Sequence, residues 1–413
     1  MLQHWVWLAT RRNIRDGRKM ELLERFSDPE QIYFAAKRDY EGLELTLREL
    51  ESLQDKDLDG ARKILDDCGR FGIQVMTIHD GIYPKRLKNI PDPPVVLYYK
   101  GRVPQLDELP TIGVVGTRKA SIYGLNAAKK MGYQIAACGA IVVSGLAEGI
   151  DAMAMQGALT AGGTVVGILG CGCEQVYPRC NRALFGDTEH YGCILSPFAP
   201  GSPPARHHFP LRNRLISGIS DGVLVVEAPE KSGALITAEW ALEQGRDVFV
   251  VPGNIDVPTA QGSNALLRDG GISVSSGWDV VCEYEGRYPG KISENTGGAR
   301  LRPVQPEEAE EPLRVAQRTK KVAKKPMEKQ PETKKVIDKR ENEPYIDFTK
   351  IPGLTRHEQV LLALLRSGPM TVDDLMADSA LAAGAVNASL TMLELKGHIR
   401  RLPGKLVELS RGK

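Results

Sequence analysis

Between Thr111 and Tyr284 one short pattern recurs: a run of β-branched and small apolar residues, a glycine-bearing turn, then a stretch at helical spacing. The runs are TIGVVG, AIVVSG, GTVVGILG, GCILS, GVLVVEA, RDVFVVPG and GISVSS. The helical stretches include one from about Ala120, one from Ala147, PLRNRLISGI and GALITAEWALEQG. A strand that is apolar at every position must be covered on both faces, and a crossover long enough to hold a helix joins parallel neighbours. The pattern therefore predicts an α/β domain with a doubly wound parallel sheet.

The flanking segments read differently. Residues 1–75 place Leu22, Leu23, Phe26, Leu43, Leu45, Leu47 and Leu50 at helical spacing between turn residues such as Ser27, Asp28 and Pro29, which predicts a small helical domain. Short β-rich runs begin near Gln74, Val95 to Tyr99 being the clearest. Pro84, Pro91, Pro93 and Pro94 interrupt any helix between them, so the α/β domain is bounded at 76–285. Residues 286–344 are rich in Lys, Glu, Pro and Gln with Tyr288 as their one aromatic residue, a composition that predicts a disordered charged linker. Its pairs Lys320-Lys321, Lys324-Lys325 and Lys334-Lys335 read as solvated charge. Residues 345–413 order three helical patterns before a hairpin. Gly397 ends the third helix and Pro403-Gly404 makes the turn, the order of a winged helix. The face of that third helix, with Asn387, Ser389, Thr391 and Glu394, carries little positive charge and favours a protein partner over DNA.

Composition excludes several classes. With 54 Lys+Arg against 52 Asp+Glu the net charge is only +2, so any nucleic-acid contact must come from a local patch. No apolar run approaches the roughly 18 residues that span a bilayer. The N-terminus lacks the order of a secretion signal, which leads to the expectation of a cytoplasmic protein without membrane contact. Seven cysteines, several far apart, argue against a disulfide framework. Cys171, Cys173, Cys180 and Cys193, with His190 nearby, do not have the spacing of a zinc site, and neither metal nor cofactor is expected.

Ligands of open parallel sheets bind where strands hand over to helix N-termini. The first such loop holds Gly116, Thr117 and Arg118; the second holds Ser144 and Gly145, followed by Glu148 and Asp151. A third site, FPLRNR, offers Arg212, Asn213 and Arg214 with His207-His208 beside it, and a fourth offers Lys231, Ser232 and Gly233. Arg179 adds one more guanidinium. So many cations along one edge describe a surface that tracks a phosphate backbone, more than one mononucleotide requires.

These strings carry a resemblance. VGTR with SIYG, SGLAEGID, YP before Asn181, FPLRNRLISG, VVEAPEKSGALITAEWA with EQGR, and VPG with QGSNALL together resemble the DNA-processing protein A (DprA/Smf) family over residues 111–280. LLERFSD is similar to that family's sterile-alpha-motif-like or helix-hairpin-helix N-terminal domain, and the tail is similar to its winged helix. The resemblance implies an extended Rossmann fold that binds single-stranded DNA, forms homodimers and loads the recombinase RecA; no nucleophile, base and orienting residue group in the sequence, so catalysis is not expected. It implies phosphate contacts by Arg118, second-loop contacts by Ser144 and Gly145, an RNR motif at Arg212, Asn213 and Arg214, and a basic position at Arg179. Two positions depart from the family pattern: Met155 stands where a histidine is common, and Pro197 where a glutamate is. The competing reading is a lysine-decarboxylase-like nucleotide-processing enzyme cleaving an N-glycosidic bond. Its double-glycine loop is absent from SGALITAE, although Thr237 and Glu239 remain, and its acid or base would come from Glu148, Asp151 or Glu239.

Overall fold

The computed structural model describes residues 1–294 and, towards the C-terminus, 355–365, 370–379, 381, 383–396, 398–402 and 406–409. They fall in two compact units, Met1–Lys320 and Lys321–Lys413.

The first unit opens with α1 (Leu2–Ala9), α2 (Asp16–Phe26), α3 (Pro29–Phe34), α4 (Leu47–Gln54) and α5 (Asp59–Phe71). Local chemistry sets their ends: Asp28 accepts from the Glu30 N–H ahead of Pro29, and Thr46 with Glu49 forms a capping box. Next come β1 (Gln74–Thr77), α6 (Lys85–Lys88) and β2 (Val96–Gly101). The alternating part follows as β3 (Thr111–Val115), α7 (Ile122–Ala137), β4 (Ile141–Ser144), α8 (Ile150–Thr160), β5 (Val165–Ile168), α9 (Arg182–Tyr191) and β6 (Gly192–Ser196). It continues through α10 (His208–Ile219), β7 (Gly222–Val225), α11 (Gly233–Glu243), β8 (Asp247–Val250), α12 (Gln261–Arg268), β9 (Ile272–Ser273) and α13 (Gly277–Val281).

The strands form one sheet in the order β1-β2-β6-β5-β4-β3-β7-β8-β9. From β6 to β9 every pair is parallel, with Gly113 opposite Val143 on one side and Val223 on the other; β1 and β2 are antiparallel additions at one edge. Every residue of β3, β4, β5 and β7 is buried, as strands covered by helices on both faces must be. The order runs outward from β3 in both directions, so the carboxyl ends of the central strands form the crevice where ligands of such sheets bind. The doubly wound reading holds. The helix expected from Ala147 begins three residues later, because Gly145 to Gly149 make the loop.

Two boundaries differ from expectation. The N-terminal helices are not separate: Trp5, Leu8 and Leu22 belong to the same buried cluster as the strands, and the Gly17 N–H donates to Asp92 Oδ1 at 2.7 Å. The segment 286–294, assigned to the linker, packs on the sheet with Tyr288 and Ile292 buried. Tyr288 and Arg287 both reach the buried Asp221 carboxylate, and one buried acceptor outweighs an otherwise polar composition. The rest of the expected linker, from 295, lies outside the described residues, as do its lysine pairs. No helix among the described residues is long and apolar enough to cross a membrane.

The second unit contains α14 (Arg356–Leu364), β10 (Met370–Thr371), α15 (Val372–Ser379), α16 (Ala383–Leu395), β11 (Ile399–Leu402) and β12 (Leu406–Leu409), with strand order β10-β12-β11. Three helices followed by a hairpin match the expected winged helix; Gly397 and Pro403-Gly404 lie outside the described residues. Ser389, read as part of the polar face of the third helix, is buried. Glu358 ties the unit together: it caps α14 through the Thr355 N–H at 2.6 Å and accepts Lys396 Nζ at 2.8 Å and 2.9 Å. Burial pushes its carboxyl up, but the bonds from Lys396 and Thr355 outweigh that and hold it below the ordinary glutamate range. A carboxyl lowered in the folded state stabilises above its unfolded pKa, and that contribution disappears as pH falls through the folded value. Lys396→Met should therefore cost this unit about 2 kcal/mol at neutral pH and much less at pH 3. Hydrogen exchange of α14 in the full chain at both pH values checks it.

Candidate functional site

A cleft of about 320 Å³, counted to its open mouth, lies at the carboxyl ends of β3, β4 and β5. Arg118 comes from the loop after β3, and Gly145, Ala147 and Glu148 from the loop after β4. Tyr177 and Pro178 come from the loop after β5, while Phe209 and Arg212 stand on the first turns of α10.

Its centre is the Phe209 ring. The Arg118 guanidinium carbon sits 5.2 Å from the ring centroid and that of Arg212 5.9 Å, both within cation–π range. Tyr177, 39% exposed, tilts its ring at 38° with centroids 5.8 Å apart. The Tyr177–Pro178 peptide is cis. The two cations differ in kind. Arg118 is exposed, whereas Arg212 is 4% exposed and donates Nη1 to the Ile168 carbonyl at 2.7 Å. Burial draws the Arg212 guanidinium down to about 10, and the charge of Asp151 works against that. Asp151 is pushed up by its own burial while Arg212 pulls it down, and its Oδ2 accepts the Gly145 N–H at 3.0 Å. Gly145 must lack a side chain, since a Cβ there would stand 1.8 Å from Arg212 Nη1. Gly149, at φ +75°, lets the same loop pass against the Thr117 and Arg118 carbonyls. Between them Leu146 is held at φ +55°, its carbonyl accepting the Asn181 amide at 2.9 Å.

Of the twelve residues expected to bind, three line the cleft: Arg118, Gly145 and Arg212. Arg179 is exposed on the turn after Pro178, beside Cys180, whose Sγ–H donates to Glu148 at 3.3 Å. Others support the cleft from behind. Gly116 packs on Ile150, and the Thr117 N–H donates to the Glu227 carbonyl at 2.8 Å. Asn213 donates to the Gly233 carbonyl at 3.0 Å and so ties the fourth loop to α10.

The others are placed differently. Ser144 is fully buried with its hydroxyl donating to Val114 O at 2.6 Å, because the last residue of a central strand faces its neighbour and not the crevice. The Gly145 N–H is taken by Asp151 Oδ2. Arg214 points away: two residues on from Arg212, it sits on another face of α10, bonding Asp16 at 3.2 Å and the Pro91 and Asp92 carbonyls. Ser232 caps α11 through the Ala234 N–H, and Lys231, Ser232 and Gly233 do not line the cleft.

Sequence reasoning missed the aromatic pair and Glu227. Phe209 and Tyr177 were legible only as neighbours of cations. Glu227 is buried; its carboxylate accepts Ser121 N at 3.1 Å and Ser121 Oγ at 2.8 Å and takes the Thr259 hydroxyl, clamping the first loop to the last. His208 stacks on Phe198 at 4.0 Å, and Met155 is buried within α8. Cys171, Cys173 and Cys193 are buried and their thiols pushed up by that burial, which disfavours the thiolate a metal needs. Among the described residues no cluster of His, Cys, Asp and Glu is arranged to hold a metal. Thr237 is turned back on the Gly233 carbonyl and Glu239 is exposed on α11, and neither lines the cleft.

Comparison with known proteins adds the following. Residues 74–285 match the DNA recombination-mediator protein A family, and residues 349–405 the DprA winged helix domain. Protein Smf of Synechocystis is 35% identical over 362 residues, 83% of this chain and 81% of that one. DNA processing protein DprA of Bacillus subtilis is 42% identical over 216 residues, 52% of this chain and 73% of its own. The X-ray structure of DNA processing protein A from Streptococcus pneumoniae superposes with a TM-score of 0.61 at 32% identity, covering 68% of this chain and 98% of that one.

Proposed function

The chain belongs to the DNA recombination-mediator protein A family, and on that premise we propose that it holds single-stranded DNA across the cleft, acts in the cytoplasm as a homodimer, and hands the strand to RecA. It is a binding protein and not an enzyme. The observation that carries this reading is the Phe209 platform with Arg118 and Arg212 over it and Tyr177 beside it. A single strand offers what such a site takes: phosphates for the exposed guanidiniums of Arg118 and Arg179, and an unstacked base face for the aromatic rings. In a duplex the bases are already stacked and paired, so the rings are denied their partner.

Of the acids the competing enzymatic reading needs, only Glu148 lines the cleft, with no second catalytic group grouped beside it. Asp151 is buried and engaged by a backbone N–H, and the residues of the SGALITAE segment stand outside the cleft.

Fluorescence anisotropy of a labelled oligothymidine tests the proposal. Wild type should bind it in preference to duplex, with affinity falling steeply as salt rises. Arg118→Glu should weaken binding at least about tenfold, since it replaces a phosphate-facing cation with a repelling anion. Equal affinity for strand and duplex, or an unchanged Arg118→Glu protein, would remove the cleft as the DNA site.

A further inference from the structure

We propose that the cleft reads one base of the bound strand and that Glu148 makes that base a guanine; this rests on the single-strand reading above. A surface that only tracked phosphates would gain nothing from a carboxylate in its wall, because a phosphate and a carboxylate repel. Glu148 nevertheless lines the cleft together with Arg118, Arg212, Tyr177 and Phe209. It is not neutralised there: among the described residues it forms no ion pair with either guanidinium. Among the described residues its one hydrogen bond accepts the Cys180 Sγ–H at Oε1, and Oε2 has no partner there. Burial and this carboxylate push the Cys180 thiol up to about 11, so it stays a donor at neutral pH.

The cleft therefore presents an aromatic floor, a carboxylate that only accepts, and guanidiniums that only donate. Arg212 Nε is buried with no hydrogen-bond partner among the described residues. That donor pattern selects among bases. Guanine places N1–H and the N2 amino group side by side, a pair of donors that one carboxylate accepts together, and it offers O6 and N7 to a guanidinium on its other edge. Cytosine and adenine set one amino group beside a ring-nitrogen acceptor. Thymine has a single N3–H between two carbonyl oxygens, both of which a carboxylate repels. The rest of the strand is held through phosphates without sequence preference.

The test uses the full chain and labelled oligothymidines of about eight nucleotides, with dT, dG or hypoxanthine at one central position. Wild type should bind the dG oligonucleotide about tenfold more tightly than the all-thymine one, with hypoxanthine, which lacks the N2 amino group, in between. Glu148→Gln should bind the all-thymine strand more tightly than wild type does, since the repulsion is gone, and its dG preference should fall below about threefold. Equal binding of dG and dT oligonucleotides by wild type, or a dG preference that survives Glu148→Gln, overturns the proposal while leaving single-strand binding intact. Wild type binding none of the strands overturns both readings.

Discussion

Arg212→Ala is expected to lower the unfolding free energy by about 3–5 kcal/mol, the range for removing one member of a buried charge pair. Three losses combine: the charge-assisted bond to the Ile168 carbonyl, the cation that offsets Asp151 across Gly145, and the packing of a long side chain against Phe209. Asp151 then remains desolvated, its charge offset only by hydrogen bonds such as that from the Gly145 N–H. Arg212→Met with Asp151→Asn should cost clearly less than the sum of the two single changes, since the uncompensated charge is removed with its partner. Urea unfolding of the single and double variants decides this. A loss below 1 kcal/mol for Arg212→Ala, or additive behaviour, would mean that Arg212 and Asp151 are not coupled.

The second large effect lies at the opposite end of the sheet. Asp221 is buried where β3 and β7 begin, and it accepts the Thr111 N–H at 2.9 Å, Arg287 Nη1 at 2.7 Å and the Tyr288 hydroxyl at 3.1 Å, together with Arg86. Asp221→Ala leaves the largely buried Arg86 guanidinium without its counter-charge and the Thr111 N–H without an acceptor, which should also cost about 3–5 kcal/mol. The loss has a local signature. Residues 286–294 are docked through Arg287 and Tyr288, so their amide protection should disappear ahead of that of the sheet. Hydrogen exchange on the full chain reads both. Retained protection at Tyr288 would show that Ile292 and the Ser293 N–H bond to the Cys138 carbonyl suffice to hold the segment.

Much of the fold was legible because the signals are local. Unbroken apolar runs such as IVVS need only the knowledge that strands covered twice have no polar face. The boundary at 285 failed for the same reason in reverse. Composition averaged over 286–344 hid one tyrosine and one isoleucine that find a buried surface only the folded sheet provides.

The site was legible at the level of loops, not of side chains. The sequence by itself determined a doubly wound sheet, the glycine turns at its carboxyl edge, and the cations nearby, since each follows from the spacing of residues a few positions apart. Only the tertiary structure decided which of those residues meet. The phase of α10 turns Arg212 inward and Arg214 toward Asp16, and the strand order spends the Ser144 hydroxyl on Val114. The return of the chain through β5 and α10 brings Tyr177 and Phe209 together across 5.8 Å. The direction in which a side chain points depends on the element beneath it and the partner opposite. Both are set by contacts between residues far apart in the chain, which no local pattern encodes.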